Sequence, residues 1–255
     1  MICFAILAHT GEDVLINQLE NLRKFVPGSK AFLYNGGDDP SFGLGAGIEI
    51  CPYSRKLAYD KLGRVLFDMM RWLEERQESY EFLVYLESDV MFVRPGYESF
   101  LRSTMSGYDG MEINLAKMDV QTPYLQWVPA KTMWNEWWEI WFPFFRTDYF
   151  VGCLNAMQVY RKSMVQKMLD CMDPMWLEQQ FARTNVFALE EILYGTLAAK
   201  CGGMLRPYPE DAVRFVRLGL PLSVEEVVEA KEHVYFVHPI ERRLDNPARS
   251  FISDC

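Results

Sequence analysis

The sequence predicts an α/β protein built on a mostly parallel central sheet flanked by helices, and three observations predict it. The apolar runs Ile2–Ala8 and Phe82–Leu86 are continuous rather than alternating, as in strands covered on both faces. Between them the pattern runs strand, helix, strand, strand, helix, strand within the first 86 residues. Two carboxylates, Glu87 and Asp89, come directly after the last of these strands, at the end where open parallel sheets hold their ligands.

Each element has its own signal. After Ile2–Ala8, Thr10-Gly11-Glu12-Asp13 reads as a capping box and opens an expected helix to about Phe25. Lys30–Gly37 and Ile48–Pro52 read as strands. The glycine-rich loop between them matches neither a dinucleotide nor a phosphate-loop spacing. Apolar residues at Leu62, Val65, Leu66, Met69, Met70 and Leu73 give the helical rhythm of Lys56–Glu75. Farther on, Gly110–Leu115 and Tyr149–Tyr160 read as strands, and Lys162–Met172, Pro174–Ala182 and Phe187–Lys200 as helices, the last stopped by Gly202-Gly203. Ser223–Glu226 is a second capping box, and His233–Pro239 a final strand.

The 255 residues, 50% of them hydrophobic and 15% aromatic, suit a single domain over 1–255 with a large core. Its expected division is functional, into 1–109 and 110–255. A net charge of −9 argues against nucleic acid as the partner, which needs a basic surface. No apolar run is long enough for a transmembrane segment and no basic leader precedes Ile2, so a cytoplasmic location is expected. The six cysteines are scattered without a C-x-x-C pair, which leaves zinc ribbons unsupported. Serine-nucleophile and kinase signatures are absent as well.

Four groups of residues can carry chemistry. Glu87 and Asp89, two apart in extended chain, point to one side and can hold a hard cation; the alternative is a polar turn, against which the buried run Val90–Val93 counts. His238, at the end of an apolar run, can complete a metal site or serve only as a structural hydrogen-bonding group. Glu190 and Glu191 open a helix, where the dipole favours carboxylates; beyond that ordinary role, one of them can act as a general base. Trp134, Trp137, Trp138 and Trp141 keep helical spacing and put four indoles on one face, for core packing, for sugar rings or for a partner protein.

Taken in order along the chain, these features resemble the glycosyltransferases of the GT-A fold, a Rossmann-related sheet here carrying an aromatic-rich acceptor-side insertion. The strands and helices of Ile2–Phe25 and Lys56–Asp89, an acceptor-side segment over Gly110–Tyr160, a Glu-bearing helix and the closing "VYFVHPI" carry the likeness. Glu87-Ser88-Asp89 stands as an E-x-D variant of the D-x-D motif, which in that family binds the metal and the nucleotide-sugar diphosphate. "LEEILYGTL" is similar to the segment of the core-2/I-branching N-acetylglucosaminyltransferases in which the second acid of a pair is the base. The resemblance makes Glu191 the base and Glu190 its neighbour. Members of that group also work without metal, through basic residues on the diphosphate; Arg55, Arg242 and Arg243 are available for that task.

The reading implied is an enzyme of the hexosyl- or N-acetylhexosaminyl-transferase class. It moves a sugar from a nucleotide-sugar donor to a carbohydrate or other hydroxyl acceptor, with inversion. His9, Thr10 and Asn35 at strand ends bound the nucleotide; Glu87, Asp89 and His238 hold Mn²⁺ or Mg²⁺. The rivals are a nucleotidyltransferase making a nucleotide sugar and a non-catalytic carbohydrate-binding protein on a degenerate scaffold. The acidic, glycine-poor loop His9–Asp13 counts against the first.

Overall fold

The apolar run Ile2–Ala8 is strand β1, buried along its whole length. Helix α1 (Glu12–Phe25) comes next, then β2 (Lys30–Asn35), β3 (Glu49–Ile50), α2 (Val65–Glu75) and β4 (Phe82–Glu87). In this computed structural model, which describes residues 1–59, 61–119 and 127–255, the chain divides into two compact units interleaved in sequence. The first is Met1–Lys56, Tyr80–Ser106 and Tyr208–Cys255; the second is Leu57–Ser79 and Gly107–Pro207. Asp60, in the expected Lys56–Glu75 helix, and 120–126, in the expected acceptor-side segment, lie outside the described residues.

The first unit carries four strands in the order β3, β2, β1, β4, every neighbouring pair parallel. The register sets Leu7 opposite Glu87 and Ala8 opposite Asn35, so three strands end side by side. A separate antiparallel pair, β5 (Met91–Phe92) and β9 (Phe236–Val237), lies after the acidic turn. Helices α3 (Tyr97–Thr104), α9 (Val224–His233) and α10 (Pro247–Asp254) belong to the same unit. Its core is rich in rings, with Phe92 edge-on to Phe4 at 5.7 Å and to Tyr97 at 5.1 Å.

In the second unit β6 (Gly110–Asp119) lies between β7 (Tyr149–Arg161), antiparallel to it, and β8 (Leu205–Pro207), parallel to it. Its helices are α2, α4 (Val128–Thr132), α5 (Trp138–Phe145), α6 (Lys162–Cys171), α7 (Pro174–Arg183) and α8 (Glu190–Lys200). Gly195 faces β7 and β6 without a side chain; a Cβ there would stand 3.0 Å from Val151 and 2.8 Å from the Glu112 carboxylate. The α/β class and the mostly parallel strands are therefore as the sequence predicts.

Several boundaries differ, each for a local reason. The expected helix over Lys56–Glu75 begins only at Val65, because Gly63 packs against Leu189, 3.0 Å from where its Cβ would be, and its carbonyl accepts the Tyr194 hydroxyl. Thr10 does not cap α1: Gly11, at φ 69°, is the N-cap residue, and the Glu12 carboxylate reaches away to the amides of Gly43 and Gly45 at 2.8 and 3.1 Å. The strand expected over His233–Pro239 shortens to two residues because α9 runs on to His233. The second capping box forms, Ser223 and Glu226 bonding each other's backbone amides.

The four indoles do not share one face. Met133–Trp137 winds as a π-helical turn, whose extra residue shifts the helical phase between α4 and α5. Trp141 alone among the four is fully buried; Trp134 and Trp138 pack on each other at 4.0 Å, and Trp137 donates to Asn185.

Candidate functional site

The carboxyl ends of β1, β2 and β4 gather most of the candidate residues from the first part of the sequence. Glu87 is the last residue of β4, and the turn Glu87–Val90 is closed by the Val90 amide on the Glu87 carbonyl at 3.1 Å. Two polar residues on the buried face of α1 brace this turn and the short strand after it. Gln18 donates to the carbonyls of Glu87 at 2.7 Å and Val90 at 3.1 Å, and Asn21 exchanges two 2.8 Å bonds with the backbone of Phe92. Both are buried, so the turn is held from a helix whose other inward residues are apolar.

The chain returns to this turn at its far end. The Ile240 amide donates to the Asp89 carbonyl at 2.8 Å, and a bridge between Val216 and His238 holds the strand end beside it. His238 is buried, and its Nε2 stands 3.6 Å from Asp89 Oδ1. Burial lowers the His238 pKa, with the Asp89 carboxylate opposing that shift, so the ring's neutral, ligating form is favoured. Glu87 is oriented by the Tyr85 hydroxyl, which donates to its Oε1 at 3.3 Å.

Glu87, Asp89 and His238 each offer one ligand atom, and these lie within 4.8 Å of one another. Asp89 Oδ1 is a buried carboxylate oxygen without a hydrogen-bond partner among the described residues, a costly state unless a cation meets it. Two carboxylate oxygens and one imidazole nitrogen suit Mn²⁺, and the oxygens suit Mg²⁺. The donor set therefore fits a divalent cation.

Two arginines serve this turn in different ways. Arg249, 0% exposed, donates to the Ser88 carbonyl at 2.8 Å, the Glu241 carbonyl at 2.9 Å and Asn17 Oδ1 at 3.2 Å. Burial lowers its pKa to about 10, with Asp89 opposing the shift. Arg242 donates from Nη2 to Asp89 Oδ2 at 2.9 Å and stands 3.7 Å from Glu87. Arg243 turns elsewhere, to Asp245.

His9 and Thr10 are exposed at the end of β1. Gly37 packs on that end, since a Cβ would stand 2.8 Å from the His9 carbonyl. Asn35 is buried, its Oδ1 accepting the Gly37 amide at 2.9 Å and its Nδ2 donating to the Asp39 carbonyl at 2.7 Å, so its side chain shapes the loop after β2. Arg55 is exposed just after Ser54, whose hydroxyl accepts the Asn35 amide at 3.0 Å. The glycine-rich loop offers no open phosphate cradle at Gly43 and Gly45, because Glu12 occupies both amides.

Glu190 and Glu191 lie in the second unit, in the first turn of α8. Glu191 is half-buried and its Oε1 accepts the Asn155 amide at 3.1 Å; Glu190 is buried. Behind them lies a polar cluster outside the four groups marked by the sequence. The Tyr160 hydroxyl donates to Glu112 and stands 2.9 Å from Gln158 Oε1, and Gln158 donates to Asn155 Oδ1 and to the Glu190 carbonyl, both at 3.1 Å. Burial pushes the Glu112 carboxyl up to about 7, against the bonds from Tyr160 and Cys153. A polar residue inside the apolar run "GMEINL" was the available signal for Glu112, and Gln18 and Asn21 on an apolar helix stripe were another. Arg249 had none.

No protein-family model matches this sequence, and comparison with curated proteins finds no match. Among solved structures, an active-site mutant of LgtC aligns with a TM-score of 0.52 at 11% identity, covering 100% of this chain and 94% of that one. The galactosyltransferase LgtC in complex with donor and acceptor sugar analogs gives a TM-score of 0.43 at 11% identity, over 100% and 83% of the two chains. A glycosyltransferase involved in the glycosylation of the major capsid of PBCV-1 gives 0.48 at 11% identity, over 99% and 97%. The chain thus has the mixed α/β fold of the LgtC structure, a GT-A-like fold.

Proposed function

We propose that this protein is a glycosyltransferase that moves a sugar from a nucleotide-sugar donor to a hydroxyl acceptor, assisted by a divalent cation. The observation that carries the reading is the convergence of Glu87, Asp89 and His238 at the carboxyl end of a central parallel strand. The fold likeness to LgtC, a galactosyltransferase, supports the same reading. The resemblance of Leu189–Leu197 to the core-2/I-branching enzymes supplies the choice of base, and the donor sugar is a hexose or N-acetylhexosamine.

In this reading Glu87, Asp89 and His238 hold Mn²⁺ or Mg²⁺, which when bound neutralises the charge that develops on the diphosphate leaving group. The exposed ends at His9 and Thr10, with Arg55 beyond the second strand, bound the nucleotide, and Asn35 keeps the shape of that wall through its turn. Glu191 removes the acceptor's proton in an inverting displacement. Its partial exposure, beside a buried Glu190, supports choosing the second acid of the pair, and the Asn155 amide orients the carboxylate. The Trp-rich segment lines or covers the acceptor, excluding the water that otherwise hydrolyses the donor. The engaged amides of Gly43 and Gly45 count against the nucleotidyltransferase alternative.

A thermal-shift screen of UDP-, GDP-, CMP- and dTDP-linked sugars, with and without Mn²⁺, tests the proposal. One nucleotide class should raise the melting temperature with Mn²⁺ present. Absence of a shift with every donor would refute it. With the donor in hand, Glu191→Gln should lower kcat far more than donor affinity, and the anomeric configuration of the product decides inversion.

A further inference from the structure

The acidic turn already has a cation. Arg242 reaches Asp89 Oδ2 at 2.9 Å and lies 3.7 Å from Glu87 Oε2, so one guanidinium serves both carboxylates proposed as metal ligands. Its side chain is 45% exposed, and the bond to Asp89 is the only hydrogen bond it makes among the described residues, whereas Arg249 is fully enclosed and bonded through all three nitrogens. The neighbouring Arg243 is committed to Asp245 and Glu241. One arginine is therefore fixed beneath the turn, and the other is free to rotate away from it.

We infer that Arg242 is an exchangeable internal cation, which occupies the carboxylate pair in the free protein and which a divalent ion must displace in order to bind. This rests on the metal reading of Glu87, Asp89 and His238. The reasoning is electrostatic. Without a counter-charge, two carboxylates converging on one point repel each other, and a guanidinium in contact with both relieves that repulsion. A divalent ion entering the same oxygens must break the Arg242–Asp89 bond and also meets a positive charge a few ångström away. The free protein accordingly holds divalent ions weakly. Once displaced, the guanidinium is left unpaired beside the ion, with its donors directed to whatever anion accompanies the metal.

Titration with Mn²⁺ alone, monitored through the electron paramagnetic resonance signal of the free ion, tests this on the full chain. Arg242→Ala should bind Mn²⁺ about tenfold more tightly than the parent, the scale expected for removing one charge at this distance in a partly solvated site. Arg242→Gln should do the same, and serves if the alanine variant melts early. Asp89→Asn should abolish binding in either background. If both Arg242 variants bind Mn²⁺ no more tightly than the parent while Asp89→Asn abolishes binding, the exchange is refuted and the metal site stands. If neither the parent nor the Arg242 variants bind Mn²⁺, the metal reading falls, and the exchange with it.

Discussion

Arg249 Nη2 donates to the backbone carbonyl of Ser88 at 2.8 Å from a side chain that is 0% exposed. An arginine from α10 thus sets the path of the acidic turn from underneath. Arg249→Leu fills similar space but leaves the Ser88 and Glu241 carbonyls and Asn17 Oδ1 without this donor. It should cost about 3 kcal/mol in urea unfolding, the scale for a broken buried charged network. A loss below about 1 kcal/mol would mean the arginine can be replaced by apolar packing alone.

Glu112 makes stability fall as pH rises. In the unfolded chain it ionises near 4.5, while in the folded protein burial holds it protonated until about 7. Both forms are protonated below 4.5, so no difference arises there. Between 4.5 and about 7 the unfolded state loses its proton first, and stability drops by about 3 kcal/mol before levelling off. Glu112→Gln keeps an acceptor for Tyr160 and cannot ionise, so its stability relative to the parent should improve by that amount between about pH 4.5 and 8. Parallel stability curves for the two proteins would contradict this account.

Tyr194 ties α8 to the first turn of α2 and to the chain just before it, within the second unit. Its hydroxyl accepts the Phe67 amide at 2.8 Å and donates to the Gly63 carbonyl. Tyr194→Phe leaves a buried amide and a carbonyl without that partner, and should cost about 2 kcal/mol. Equilibrium denaturation measures it; a neutral result would show that the segment relaxes onto another partner.

Gly195 sets helix propensity against packing. In mid-helix, alanine is favoured over glycine by about 1 kcal/mol. Here its Cβ would stand 2.8 Å from Glu112 Oε2 and 3.0 Å from Val151, inside the buried cluster. Gly195→Ala should therefore lower the melting temperature, by an overpacking cost of about 1–3 kcal/mol. A rise would mean that Glu112 moves aside at little cost.

Much of the first unit was legible because its signals are local. Ile2–Ala8 had to be a doubly covered strand, and the carboxylates after Phe82–Leu86 had to leave it at a carboxyl end. The same locality explains the misses. Thr10 loses the cap because Gly11, at φ 69°, takes the N-cap position and Asp13, the acid of the expected box, bonds the Val14 amide instead, while Glu12 is drawn to Gly43 and Gly45 far along the chain. Where α2 begins depends on Leu189 and Tyr194, and the π-helical turn leaves Trp134 and Trp138 packed together while Trp137 turns to Asn185 and Trp141 is buried apart from them. His238 was visible as a strand end, but its position beside Asp89 comes from long-range pairing. The arginines under and over the turn obey no periodicity at all.

The interleaving of the two units also gives the chain an order of completion. Glu87 and Asp89 belong to the middle segment of the first unit, whereas His238, Arg242 and Arg249 belong to its last, Tyr208–Cys255. During synthesis the acidic turn therefore leaves the ribosome well before its imidazole and both of its guanidinium partners. Until the whole second unit has been made, the two carboxylates have none of these partners. A ribosome stalled anywhere before residue 238 displays the turn with neither the ring nor the guanidinium groups that offset its charge.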